Sequence, residues 1–212
     1  IVVGGGHAGI EASLAAAKMG HKVLLFVLDQ FAIGRMSCNP SIGGLAKGHL
    51  VKEIDALGGV MGEIADIACL QFKTLNKSKG RAVWGPRAQV DKKVYSETAI
   101  RFINNQANIT IINEEVIDII LLKNKIAGVI TRNGGKYNSE AVIITTGTFL
   151  NGLIHVGEKK IPAGRINEKP STGLSEQLIK YHFKIGRLKT GTPPRLDSRS
   201  INFKNLEEQH AD

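Results

Sequence analysis

The sequence is short of cysteine, tryptophan and acid. Its two cysteines, Cys38 and Cys69, form neither a C-x-x-C pair nor a metal cluster, which excludes a disulfide scaffold and fits free thiols in a reducing compartment. No apolar run is long enough to span a bilayer, and no basic-then-apolar leader pattern is present. Asp and Glu number 19 against 28 Lys and Arg, so the net charge is +9. That excess suits a polyanionic partner whose phosphates it neutralises, and equally a soluble protein that is merely basic. No internal repeat stands out. What is present is ordinary globular content: 212 residues, 42% apolar and 22% charged, enough to bury a core in one or two domains. The first residue already belongs to a strand pattern and is not Met, so a few preceding residues are expected.

The most informative stretch is the first. Ile1-Val2-Val3 runs into Gly4-Gly5-Gly6-His7-Ala8-Gly9, and an Ala/Leu-rich run from Glu11 to Met19 follows. This is G-x-G-x-x-G on Gly4, Gly6 and Gly9, with the strand before it and the helix after it that a dinucleotide fingerprint requires. Gly4 permits the tight turn, Gly6 lets the backbone approach a pyrophosphate, and Gly9 lets the helix pack close to the strand. The helix N-terminus then presents N–H groups to the phosphates. Glycine turns also close ordinary αβ units, so the pattern needs its context. Lys22–Val27 reads as a second parallel strand, apolar enough to be covered on both faces. Asp29, the first acid after it, comes slightly late for a ribose ligand and reads more readily as a solvated loop residue.

Residues 34–48, GRMSCNPSIGGLAKG, read as a glycine-rich loop around Cys38. A thiol near cations such as Arg35 and Lys47 has a lowered pKa and can act as a nucleophile; a buried inert cysteine in a turn has the same composition. His49–Leu57 reads as a short helix with Leu50, Ile54 and Leu57 on one face, and His49 as a ligand, an acid/base group or an ordinary surface residue. Cys69 reads as core. A basic stretch follows: Lys73, Lys77, Lys79, Arg81, Arg87, Lys92 and Lys93, with the only tryptophan, Trp84, inside it. It suits phosphate contacts and base stacking, or else a solvated loop. Arg87–Asn104 reads as a helix.

Ile109–Asn113 reads as a strand, Val116–Leu122 and Ile126–Arg132 as a hairpin, Lys136–Asn138 as its extension, and Ala141–Thr145 as a buried strand running into Thr146-Gly147. A small antiparallel meander between parallel strands is the layout of large FAD-binding domains, which favours FAD over NAD at Gly4–Gly9. The expected fold is therefore α/β: a doubly wound, Rossmann-like FAD-binding domain over residues 1–150 with a β-meander. The start of an inserted α/β domain is expected over 151–212. There, Leu174–Tyr181 reads as a helix capped by Ser171 or Thr172. The polar tail carries no closing strand, so the chain is expected to be the N-terminal portion of something longer.

Five stretches together resemble one family: GGGHAG, GRMSCNPSIGGLAKGHLVKEIDALGG, QFKTLNKSKGRAVWGPRAQVD, TTGTFLNGLIHVG and GRLKTGTPPRLD. They are similar to the GidA/MnmG family of FAD-dependent tRNA uridine 5-carboxymethylaminomethyl modification enzymes, across essentially the whole chain. The resemblance implies a cytoplasmic homodimer that binds FAD and is reduced by NADH. With a GTPase partner, in a heterotetramer, it places an aminomethyl or carboxymethylaminomethyl group on C5 of the wobble uridine. The carbon comes from methylene-tetrahydrofolate. By motif, Gly4, Gly5, Gly6, His7, Ala8 and Gly9 fall where the family holds the FAD pyrophosphate. Val116 falls where it contacts the adenine side, and Ser171 where another FAD contact is made. Cys38 matches one of two family cysteines implicated in the reaction. The other belongs to a Y-C-P-S motif that this sequence lacks, and Cys69 does not match it. Two rival readings are a folate- and FAD-dependent tRNA uracil-5 methyltransferase, against which SCNPSIGG argues, and an FAD-binding partner-docking protein without chemistry of its own.

Overall fold

The computed structural model describes all residues except Ser37, Cys38, Thr192, Pro193 and Arg195. In chain order the elements are β1 (Val2–Val3), α1 (His7–Lys18), β2 (Val23–Phe26), β3 (Ser41–Gly43), α2 (Gly48–Ala56), α3 (Met61–Ile67), β4 (Cys69–Leu75) and β5 (Gly85–Val90). There follow α4 (Lys92–Asn104), β6 (Ile109–Ile112), β7 (Val116–Leu122), β8 (Lys125–Thr131), β9 (Lys136–Asn138) and β10 (Ile143–Ile144). The last are β11 (Leu153–Val156), β12 (Lys159–Pro162) and α5 (Leu174–Lys180). They form two compact units, Ile1–Arg35 with Ser96–Arg187, and Met36–Tyr95 with Leu188–Asp212.

The first unit is built on a parallel sheet of order β10-β1-β2-β6. Its two central strands are short and apolar on both faces, with Val2, Val3, Val23, Leu25 and Phe26 buried, as strands covered on both sides require, while Ile143 in the edge strand β10 is exposed. Helix α1 buries Ile10, Leu14 and Ala17, spaced at helical intervals, and Gly9 at its start. The expected meander is present as the antiparallel sheet β7-β8-β9. Its Val116 and Val129 share a core cluster with Val3 and Phe26, and Tyr137 meets Phe26 edge-to-face at 5.0 Å between ring centres. Strand β8 begins at Lys125 because Lys123 and Asn124 alone make the hairpin turn, both at positive φ. The N-cap of α5 is Gly173, not Ser171 or Thr172. Its φ is +99°, and the Glu176 carboxylate accepts the Gly173 N–H at 3.0 Å.

The second unit holds the antiparallel sheet β3-β5-β4 with α2 and α3. Three expectations are corrected here. Arg87–Val90 is strand, not helix: Ala88 and Val90 are buried in alternation, and Asp91 starts α4 by accepting the N–H groups of Lys93 and Val94. Helix α2 buries Gly48, with Gly48 and Val51 lining a groove against Ile42, Pro86 and Ala88; Leu50 and Leu57 are exposed. Cys69 is half-buried rather than core, because β4 is an edge strand paired on one side by β5. The glycine-rich loop also contributes a short strand, with Ser41 opposite Gln89. Residues 209–212 run beside β4. The Asp212 N–H donates to the Phe72 carbonyl at 3.0 Å, and the Thr74 N–H to the Asp212 carboxylate at 2.7 Å.

Among the described residues no helix is long and apolar enough to cross a membrane. Leu25 is fully buried in β2 between β1 and β6. Leu25→Ala is expected to cost about 2–5 kcal/mol, read as a lower thermal unfolding midpoint with no change at exposed-site controls.

Candidate functional site

The parallel sheet places two glycine turns side by side, because β10 pairs with β1 and both strands end at the same level. The Thr145 N–H donates to the Val3 carbonyl at 2.8 Å, and the Thr145 hydroxyl lies 2.8 Å from that oxygen and 3.2 Å from the Gly4 carbonyl oxygen. Gly4 has φ +110°, and a Cβ on it would strike the Thr145 carbonyl. A Cβ on Gly9 would strike the Gly4 carbonyl and approach the Thr145 hydroxyl at 2.9 Å. The strand end, the first turn of α1 and the Thr145 turn therefore touch through backbone, which only glycine permits at these two positions. Gly5 is packed too, with its Cβ position 2.8 Å from Val27 and 3.0 Å from Ile33, and its carbonyl accepts the Gly34 N–H at 2.9 Å.

Gly6 differs from its neighbours. It is the N-cap of α1, extended at φ −75° and ψ −176°, and no atom lies within 4 Å of the position a Cβ would take. No side chain caps the helix, and its first turn holds no acid. Gly6 and Ala8 are exposed and His7 is half-buried. A helix start with backbone N–H groups, a positive dipole end and space on its approach side accepts an anionic group. The residues therefore fit the pyrophosphate of a dinucleotide.

The remaining sequence-predicted residues fall as follows. Asp29 is engaged locally: its carboxylate caps the turn Gln30–Ala32 by accepting the Phe31 N–H at 2.9 Å and lies 3.5 Å from Arg35. Val116 is 3% exposed, so its side chain belongs to the core and a ligand contact there has to come from main chain. Ser171 is buried, with its N–H on the Phe149 carbonyl at 2.9 Å and its carbonyl accepting the Asn151 N–H at 2.8 Å. His49 is exposed on α2. Cys38 lies outside the described residues. No cluster of His, Cys, Asp and Glu suited to a metal occurs among the described residues.

A link that sequence reading missed joins Val116 to Ser171. Arg132 grips the Glu115 carboxylate through Nε and, at 2.9 Å, Nη2. Nη2 also donates to the Thr172 carbonyl at 3.0 Å and hydroxyl at 2.9 Å, while the Thr172 N–H donates to Glu115 at 3.0 Å. The Arg132 hydrogen bond leads in holding Glu115 below the ordinary carboxylate range, with Thr172 and Ser171 adding to it, and Arg132 is correspondingly raised. The signal was available in the register: Val116 opposite Thr131 sets residues 115 and 132 across the open end of the hairpin. A second missed cluster ties Arg35 to Glu168 at 2.9 Å and Arg165 to the Arg35 carbonyl at 2.8 Å, with the Arg165 guanidinium 5.7 Å over the Phe149 ring. Burial pulls the Arg165 pKa down.

Because the folded Glu115 is more acidic than the unfolded one, its contribution is full above the ordinary glutamate pKa. It fades as pH falls through the lowered folded value. Glu115→Gln is expected to remove that part of the acid-side slope in the stability profile, measured by thermal melts from neutral pH downward.

Comparison with known proteins follows the same lines. The family described as "Glucose inhibited division protein A" matches residues 1–212. A tRNA uridine 5-carboxymethylaminomethyl modification enzyme MnmG from Sulfurihydrogenibium sp. (strain YO3AOP1) is 55% identical over the whole chain, which spans 34% of that protein. A crystal structure of Aquifex aeolicus GidA superimposes with a TM-score of 0.94 at 55% identity, covering 100% of this chain and 35% of that one. The GidA-related protein from Thermus thermophilus shares the fold at a TM-score of 0.62 and 18% identity, covering 86% and 68%. The chain thus spans about a third of the length of the MnmG proteins it matches. With its glycine turn, parallel sheet and meander matched throughout, it belongs to the glucose inhibited division protein A family.

Proposed function

We propose that this chain forms the FAD-holding part of an enzyme that builds an aminomethyl or carboxymethylaminomethyl group on C5 of the wobble uridine of tRNA. The observation that carries the reading is the open approach to Gly6 at the uncapped start of α1. Gly4, Gly5, Gly6, His7, Ala8 and Gly9 would hold the FAD pyrophosphate, Val116 would contact its adenine side, and Ser171 would make another FAD contact. Residues 1–150 would belong to the FAD-binding domain and 151–212 to the start of the inserted domain. When bound, FAD supplies hydride transfer, with NADH as reductant. Methylene-tetrahydrofolate is the proposed carbon donor, and a GTPase the partner of a homodimer in a cytoplasmic heterotetramer.

The role assigned to Cys38 follows from the substrate. C5 of uridine is a weak nucleophile, and a thiolate added at C6 pushes electron density onto C5. Loss of the C5 proton to a base, with expulsion of the thiolate from C6, restores the ring. Arg35 and Lys47 are near Cys38 in sequence, and a cation close to a thiol in space favours its thiolate form. Cys38→Ser in the whole enzyme is expected to abolish uridine modification with flavin content intact; modification at the wild-type rate would remove Cys38 from the chemistry.

The fit of Gly6 is tested separately. Its backbone conformation is open to alanine and nothing crowds the added methyl. Gly6→Ala is therefore expected to leave the apo-protein's melting temperature unchanged and to weaken FAD binding by about tenfold or more. Gly9→Ala is expected to lower the melting temperature even without FAD. Mass gain at the wobble uridine separates this reading from a uracil-5 methyltransferase, and NADH oxidation separates it from a docking protein.

A further inference from the structure

Between Asp66 and Asp91 the sequence contains no acid, while Lys73, Lys77, Lys79, Arg81 and Arg87 all fall there. The structure folds the middle of this stretch into a compact platform between β4 and β5. Asn76 adopts φ +61°, a turn over Lys77–Lys79 follows, Gly80 at φ +93° reverses the chain, and a second turn runs over Arg81–Val83. Trp84 closes it. The indole N–H donates to the Lys77 carbonyl at 3.2 Å, tying the end of the second turn to the start of the first. The Arg81 guanidinium lies 5.8 Å from the indole centre. Trp84 is nevertheless 42% exposed, and Lys79 and Arg81 in the two turns it closes are exposed as well. Lys77 is engaged by Asp212 at 2.8 Å.

An aromatic ring exposed at a surface without acid in its own segment, and held in one orientation by a hydrogen bond, is poor packing and a good stacking plane. Ordering an indole on binding costs side-chain entropy, and the Lys77 bond removes part of that cost beforehand. Adjacent cations supply phosphate contacts, and every base offers a π-face to stack. We infer that Trp84 is a stacking platform for an unpaired base of a single-stranded RNA loop, with Lys79 and Arg81 on the flanking phosphates. The inference rests on the proposed tRNA substrate and adds the element that engages it. Duplex RNA, whose bases are already stacked, gains nothing from Trp84.

The test uses the whole flavin-loaded protein and two probes, an RNA hairpin with an unpaired uridine-containing loop and a blunt RNA duplex. Trp84→Leu is expected to weaken hairpin binding about tenfold at unchanged salt slope, and duplex binding by less than about twofold. Trp84→Phe, which keeps a ring, is expected to recover most of the loss. Lys79→Ala and Arg81→Ala are each expected to lower the salt slope by about one. Equal losses on hairpin and duplex, or equal hairpin binding by the Leu and Phe variants, would overturn the platform. Uridine modification by the unsubstituted protein keeps the two readings apart. If it is absent while Trp84→Leu still loses the hairpin, the proposed function fails and the platform stands. If it is present while Trp84→Leu binds as before, the platform fails alone.

Discussion

The backbone contact among Gly4, Gly9 and Thr145 is the constraint on which the rest of the first unit depends. The Gly4 carbonyl sits where a Cβ of Gly9 would be, and the Thr145 carbonyl where a Cβ of Gly4 would be. With side chains at either position α1 could not start so close to the end of β1, and its N-terminus would be lifted from the sheet edge. Held there, the helix directs its first N–H groups across Gly6, the glycine of this turn with open space where a Cβ would stand. Because β10 pairs with β1, the Thr145 hydroxyl closes the arrangement by lying between the Val3 and Gly4 carbonyls.

From this turn the structure reaches outward by two routes. One is apolar: Val3, immediately before Gly4, shares its cluster with Phe26, Val116 and Val129, so the start of β7 is packed onto the strand that carries the turn. The other is polar: Glu115 and Arg132 close the hairpin and hold Thr172, and with it Ser171. A partly exposed ion pair contributes little by itself. This one fixes position, since one guanidinium meets the Glu115 carboxylate and both the carbonyl and the hydroxyl of Thr172, tying the two ends of the hairpin to the segment before α5.

Much of this was legible from the sequence, for physical reasons that differ by residue. The glycine fingerprint, the second strand and the meander are local patterns, and each appears where its periodicity and turn residues put it. The helix expected from Arg87 starts too early because Val90 stands four residues before Val94 and so extends the true helix's Val94, Thr98 and Phe102 spacing back into the strand. Asp91, as N-cap, marks where the pattern changes. By sequence alone Ser171 and Thr172 are local cap candidates for α5. Their partners are Glu115 and Arg132, far off in sequence, and Gly173 with Glu176 caps the helix instead. Cys69 reads as core by its apolar neighbours, yet lies on an edge strand, which composition does not reveal.

The central claim is that the backbone N–H groups at the start of α1 receive the FAD pyrophosphate. Amide hydrogen exchange of the whole protein, with and without FAD, tests it most directly. Slowed exchange centred on Gly6, His7 and Ala8 when FAD binds is the predicted result. Tight FAD binding that leaves exchange at these residues unchanged would contradict the account.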